Sequence, residues 1–79
     1  MQNMNQDLTV TYLHPDPSPQ GPQAVLSIRE PNGNVHVVRC LILGDVTHIA
    51  GPSATTLPDL HARYGPSLVL LCRQAVLHH

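Results

Sequence analysis

The chain has 79 residues, with four arginines and no lysine against five acidic residues, six histidines, two cysteines, and two tyrosines as its only Phe, Trp or Tyr. A formal charge of −1 gives no basic face for capturing a phosphate backbone, and five scattered carboxylates cannot imitate one. Tyr12 and Tyr64 alone make no base-stacking platform, so nucleic acid is an unexpected partner.

No run approaches the ~20 apolar residues of a membrane span, and the polar start Met1-Gln2-Asn3-Met4-Asn5-Gln6 lacks the apolar core of a secretory signal. A cytoplasmic protein without a membrane partner is the expectation. A domain this short hides only about 60% of the surface its unfolded chain exposes, so a staple or a partner chain is expected to complete it. Cys40 and Cys72 lie inside apolar segments, which suits buried reduced thiols better than a disulfide framework.

Residues 1–6 read as a flexible tail and residues 7–79 as one small β-rich domain. Leu8 to His14 alternates, with Leu8, Val10 and Tyr12 on one side and Thr9 and Thr11 on the other, the period of a half-buried strand. Residues 15–22 carry four prolines and form an extended surface loop that cannot join a ladder. Its Pro19-Gln20-Gly21-Pro22 matches P-x-x-P without a neighbouring basic anchor, so a stiff connector is the simpler reading.

From Gln23 to Leu43 two apolar-rich segments flank Glu30-Pro31-Asn32-Gly33-Asn34. Pro31 presets φ, Asn32 tolerates the second turn position, and Gly33 takes a positive φ, which predicts a type I turn closed by a glycine bulge. That turn pairs Glu30 with Asn34, Ile28 with His36, Leu26 with Val38 and Ala24 with Cys40, giving one continuous apolar face. The other face holds Val25, Ser27 and Arg29 beside Val35, Val37 and Arg39, and is too apolar for bulk solvent, which suggests cover by another element or subunit.

Val46-Thr47-His48-Ile49-Ala50 reads as a short return strand after Gly44-Asp45. Thr56, Pro58 and Asp59 start a helix of about two turns with Leu57, Leu60 and Tyr64 inward, ended by Gly65-Pro66. Ser67 to Leu77 is the longest apolar run, apolar on both faces as far as Leu71, and is expected to be a central strand. The predicted fold is α+β and β-rich: a small twisted antiparallel sheet or partly open barrel, β-β-β-α-β, with one short helix before the last strand. A twisted hairpin followed by a bent apolar strand resembles, in architecture alone, the Sm-like and SH3-like small barrels.

The six histidines invite a metal reading, but none has the H-x₃₋₅-H spacing of local zinc ligands. His36 and Cys40 share a strand face yet stand roughly 13 Å apart along it. No metal or other cofactor is expected, and thiols among Val, Ile and Leu are not expected to act as nucleophiles. The candidate ligand- or partner-binding residues are Arg29, Arg39, Arg73 and His36. An arginine on an apolar sheet face either snorkels to solvent as a solubilising or edge-protecting charge, or holds an anionic partner, an acidic residue of another subunit such as Asp45 or Asp59 or a phosphate-bearing ligand. His36 is expected on the core face. The expected function is that of a non-catalytic homo-oligomeric binding protein, a dimer first, engaging a protein partner or holding a small ligand at a subunit interface. An Sm-like or SH3-like nucleic-acid binder and a metal- or thiol-dependent enzyme are the alternatives. Convergence of Arg29, Arg39 and Arg73 with Tyr12 or Tyr64 would favour the first of these.

Overall fold

The structure, a computed structural model, describes residues 8–51 and 56–78. The expected tail at 1–6, most of the loop before the first helix, and His79 lie outside them. Strands β1 (Thr9–Pro15), β2 (Gln23–Arg29), β3 (Val35–Leu43) and β4 (Val46–Ala50) form one antiparallel sheet in the order β1-β2-β3-β4. Helices α1 (Thr56–Tyr64) and α2 (Pro66–Leu77) follow it. The α+β class holds, and of the two forms expected the sheet takes the open one.

The β2–β3 turn has the predicted chemistry. Gly33 N–H donates to the Glu30 carbonyl at 2.9 Å, Glu30 N–H donates to the Asn34 carbonyl at 2.8 Å, and Gly33 has φ 95°. Asn32 Oδ1 accepts from Asn34 N–H at 2.9 Å, an Asx contact that holds the turn from outside. The register follows, with Ala24 opposite Cys40, Leu26 opposite Val38 and Ile28 opposite His36. β1 joins β2 with a bulge between Tyr12 and His14, so the extra residue, Leu13, stands outside the ladder and nearly half exposed. The proline-rich loop is fastened at both ends: Asp16 N–H donates to the Gln23 carbonyl at 3.1 Å, and Ile42 N–H to the Pro22 carbonyl at 2.8 Å. Gly21 lies so close to the Ile42 carbonyl that a Cβ there would collide with it.

The expected last strand is a helix. Gly65, at φ 59°, separates α1 from α2, and Pro66 occupies the first turn of α2, where its missing N–H costs no intrahelical bond. Leu68, Cys72 and Val76 are four residues apart and buried, with Leu71 and Ala75 beside them, so the inward stripe has the spacing of a helix. The physical reason lies in the sheet. Its core face, with Ala24, Leu26, Ile28, Val38, Cys40 and Ile42 all at most 5% exposed, needs a second layer, and another strand would have lengthened the sheet without covering it. α2 supplies that layer, touching all four strands, and α1 packs against α2 through the fully buried Leu60.

Backbone strain at Gly33 is separable from packing, since nothing lies within 4 Å of where its Cβ would be. Gly33→Val is therefore expected to destabilise the domain by roughly 1–3 kcal/mol, and Gly33→Asn by distinctly less, in urea unfolding at neutral pH. Equal and negligible losses would contradict this turn geometry.

Candidate functional site

The four residues singled out from sequence fall in three places. Arg29 and Arg39 stand exposed on the sheet face opposite the helices. Arg73, on α2, reaches the β3–β4 turn, donating to the Gly44 carbonyl at 3.0 Å and to Thr47 Oγ1 at 3.3 Å, and so fastens the helix to the sheet. His36 is half-buried on the core side. The arginines do not converge, Tyr12 packs on the core, and Tyr64 bonds inward, so the arrangement that would favour nucleic acid is not formed.

His36 meets a residue that the sequence reading passed over. Glu30 is the one buried charged side chain among the described residues, 2% exposed, and three side chains from two elements, β3 and α1, meet it. His36 Nε2 lies 2.9 Å from Oε2, while Tyr64 Oη at 3.0 Å and Arg63 Nη1 at 2.6 Å both donate to Oε1. Arg63 also holds Asp59 one turn back at 2.7 Å, and its guanidinium sits over the Tyr64 ring. The signal was present: Glu30 follows Leu26 and Ile28 at strand period, so the glycine-bulge register itself puts it on the core face. Its carboxyl is held below the ordinary value, chiefly by the His36 hydrogen bond; burial acts against this, and Tyr64 and Arg63 reinforce it. Burial, then the Glu30 hydrogen bond, pushes the Tyr64 phenol up. The cluster is a clamp that ties α1 to the β2–β3 hairpin.

Among the described residues no element forms a second layer on the outer face of the sheet. Val35, Val37 and Val46 are each more than half exposed there, with Val25, Leu41 and Leu43 half-buried around them. Strand alternation puts them together: every residue that points away from the helices from β2 and β3 lands on this face, and β4 adds Val46, His48 and Ala50. Arg39 lies at the centre, 3.3 Å from Asp16, which also accepts from Gln23 Nε2 at 2.7 Å, so the proline-rich loop neutralises the central charge. Two hollows flank Arg39, one of about 420 Å³ bordered by Gln23, Leu41, His48 and Ala50. The other, of about 380 Å³, is bordered by His14, Val25, Val37 and Gly51. The face is thus apolar ground with a neutralised arginine at its middle and imidazoles at its margins.

Neither thiol belongs to this face. Cys40 and Cys72 are fully buried in the core as free cysteines, and burial pushes Cys40 up to about 11 and Cys72 up to about 12. Among the described residues no three His, Cys, Asp or Glu side chains gather as metal ligands, and no helix is long and apolar enough to cross a membrane.

Two outcomes follow. The folded state binds the Glu30 proton more weakly than the unfolded chain, so the clamp contributes fully above the unfolded carboxylate value and is lost as pH falls through the lower folded one. Unfolding free energies from pH 7 to 3 are expected to decline below about pH 4.5, and to decline less in Glu30→Gln. At pH 7, Glu30→Ala is expected to cost about 1–3 kcal/mol by stranding the Tyr64 hydroxyl and the His36 ring, since Arg63 keeps Asp59. Second, neither cysteine is expected to react with a disulfide thiol reagent in the folded protein, and both are expected to react in denaturant; native labelling of Cys72 would show the core opening far more readily than its packing implies.

No family model, no curated protein and no solved structure matches the chain.

Proposed function

We propose that this protein is a non-catalytic binding protein that works as a homodimer through the outer face of its sheet and presents the hollows beside Arg39 to a small ligand or a protein segment at the subunit interface. The observation that carries the reading is the exposure of Val35, Val37 and Val46 on a sheet whose other face is the one the helices cover. A small domain has one core layer to offer, and apolar β-branched side chains in water on its second face favour association with another copy. Two inert thiols, a carboxylate closed inside a clamp, and a central arginine already paired with Asp16 favour binding over catalysis. The ligand's recognition groups would be Arg39, His14, His48 and Gln23, the polar side chains that border the hollows.

Sedimentation equilibrium is expected to give a dimer for the unaltered protein, and Val37→Glu, which buries a carboxylate in the middle of the face, is expected to give a folded monomer. Native mass spectrometry of material purified from its own cells checks the ligand. A monomer at every concentration, with an unfolding midpoint independent of concentration, would refute the proposal.

A further inference from the structure

Among the described residues there are four carboxylates and four guanidinium groups, and nearly all are matched within the chain. Asp16 pairs with Arg39, Glu30 and Asp59 share Arg63, and Arg73 is held by Thr47 and the Gly44 carbonyl. Among the described residues the side chains of Arg29 and Asp45 have no hydrogen-bond or ion-pair partner. Both are exposed, and they stand at opposite ends of one sheet. Arg29 ends β2 opposite Val35, the first residue of β3, whereas Asp45 sits in the turn just beyond Leu43, the last.

Stacking two copies face to face leaves a choice of two-fold axis. An axis along the strands sets Arg29 over Arg29 and Asp45 over Asp45, a like-charge arrangement at both ends. An axis across the strands inverts one sheet end for end and sets each Arg29 near an Asp45. We propose that the dimer takes the second arrangement, so that Arg29 of each copy pairs with Asp45 of the partner subunit at the two ends of a stacked interface; this rests on the dimer reading above.

The dimensions agree with it. Arg29 and Asp45 are about 30 Å apart along the strands and offset by about one and a half strand spacings, ~7 Å, across them. Superposing the charges tilts the axis by about 14° and crosses the two sets of strands at about 28°, the size of angle at which aligned sheets pack. Arg39 lies midway between Val35 and Leu43 on β3, so the two copies of it meet near the axis. Each carries Asp16 at 3.3 Å, and the centre of the interface is then two neutral ion pairs rather than two bare guanidinium groups. Val35 and Val37 of one copy come to rest on Leu41 and Leu43 of the other, apolar on apolar on either side of the central Arg39.

The test is a charge swap read by sedimentation equilibrium at low and high salt. Arg29→Glu and Asp45→Arg are each expected to weaken dimerisation by about tenfold or more, and the double variant Arg29→Glu/Asp45→Arg to return it to within about threefold of the unaltered protein. Because both side chains are exposed, circular dichroism and cooperative unfolding should match in all three. Should a reversed charge disturb the fold, Arg29→Gln and Asp45→Asn replace it, and each is expected to weaken the dimer and flatten its salt dependence. A dimer that Val37→Glu disrupts but these variants leave unchanged overturns the axis while keeping the interface. Two weakened single variants without rescue in the double overturn the Arg29–Asp45 pair. An unaltered protein that is monomeric throughout overturns the dimer reading itself.

Discussion

The parity of the β2–β3 hairpin governs almost everything else in this molecule. Strand side chains alternate with a period of two, so a loop of three residues and a loop of two would send opposite sets inward. Gly33 at φ 95° closes the three-residue loop and thereby sends Leu26, Ile28, Val38 and Cys40 toward the helices. The same choice sends Glu30 inward, because it continues the row of Leu26 and Ile28, and sends Arg29, Val35, Val37 and Arg39 outward. A clamp in the core and an apolar outer face are two results of one backbone dihedral.

Burying Glu30 is costly unless its oxygens are met, and the chain meets them from two sides. His36 is two residues along from Asn34 on the partner strand, and Arg63 and Tyr64 end α1. α1 is a short helix, below the length at which helices hold themselves together in water. It packs on α2 through Leu60 and is tied to the sheet by this carboxylate, so the electrostatics of one residue help to set where the helix sits. Arg73 does the same for α2 at the other end of the sheet, through a carbonyl and a hydroxyl rather than a charge.

Much of the fold was legible because its signals are local. Pro31, Asn32 and Gly33 declare their turn in adjacent residues, and alternation in Leu8–Tyr12 and along the hairpin declares the strands. Ser67–Leu77 misled because Leu68-Val69-Leu70-Leu71 is apolar at every position, and such a run fits a buried strand or a helix equally well. What decides it is the need of the sheet for a cover, a fact about the whole chain. The more telling local pattern was Leu68, Leu71, Cys72, Ala75 and Val76, with Pro66 at the head of the segment. Of the candidate site, Arg29 and Arg39 were placed on the right face from register alone. The pairing of Arg39 with Asp16 depends on how the proline-rich loop folds back over the sheet edge, which no spacing reveals. Glu30 could have been found by carrying the alternation one residue further into the turn.

The order of elements has a bearing on how the protein is made. All four strands precede both helices, and each strand pairs with its neighbour in the chain. A ribosome extending the chain at ~5–20 residues per second delivers the strands in order, and their hairpins can close before α2, made last of the described elements, has docked. For that interval the sheet is bare on the side that becomes the core as well as on the outer side. The face that becomes the core is the one the nascent chain leaves bare until α2 arrives, which makes prompt docking of α2 a condition for escaping aggregation during synthesis.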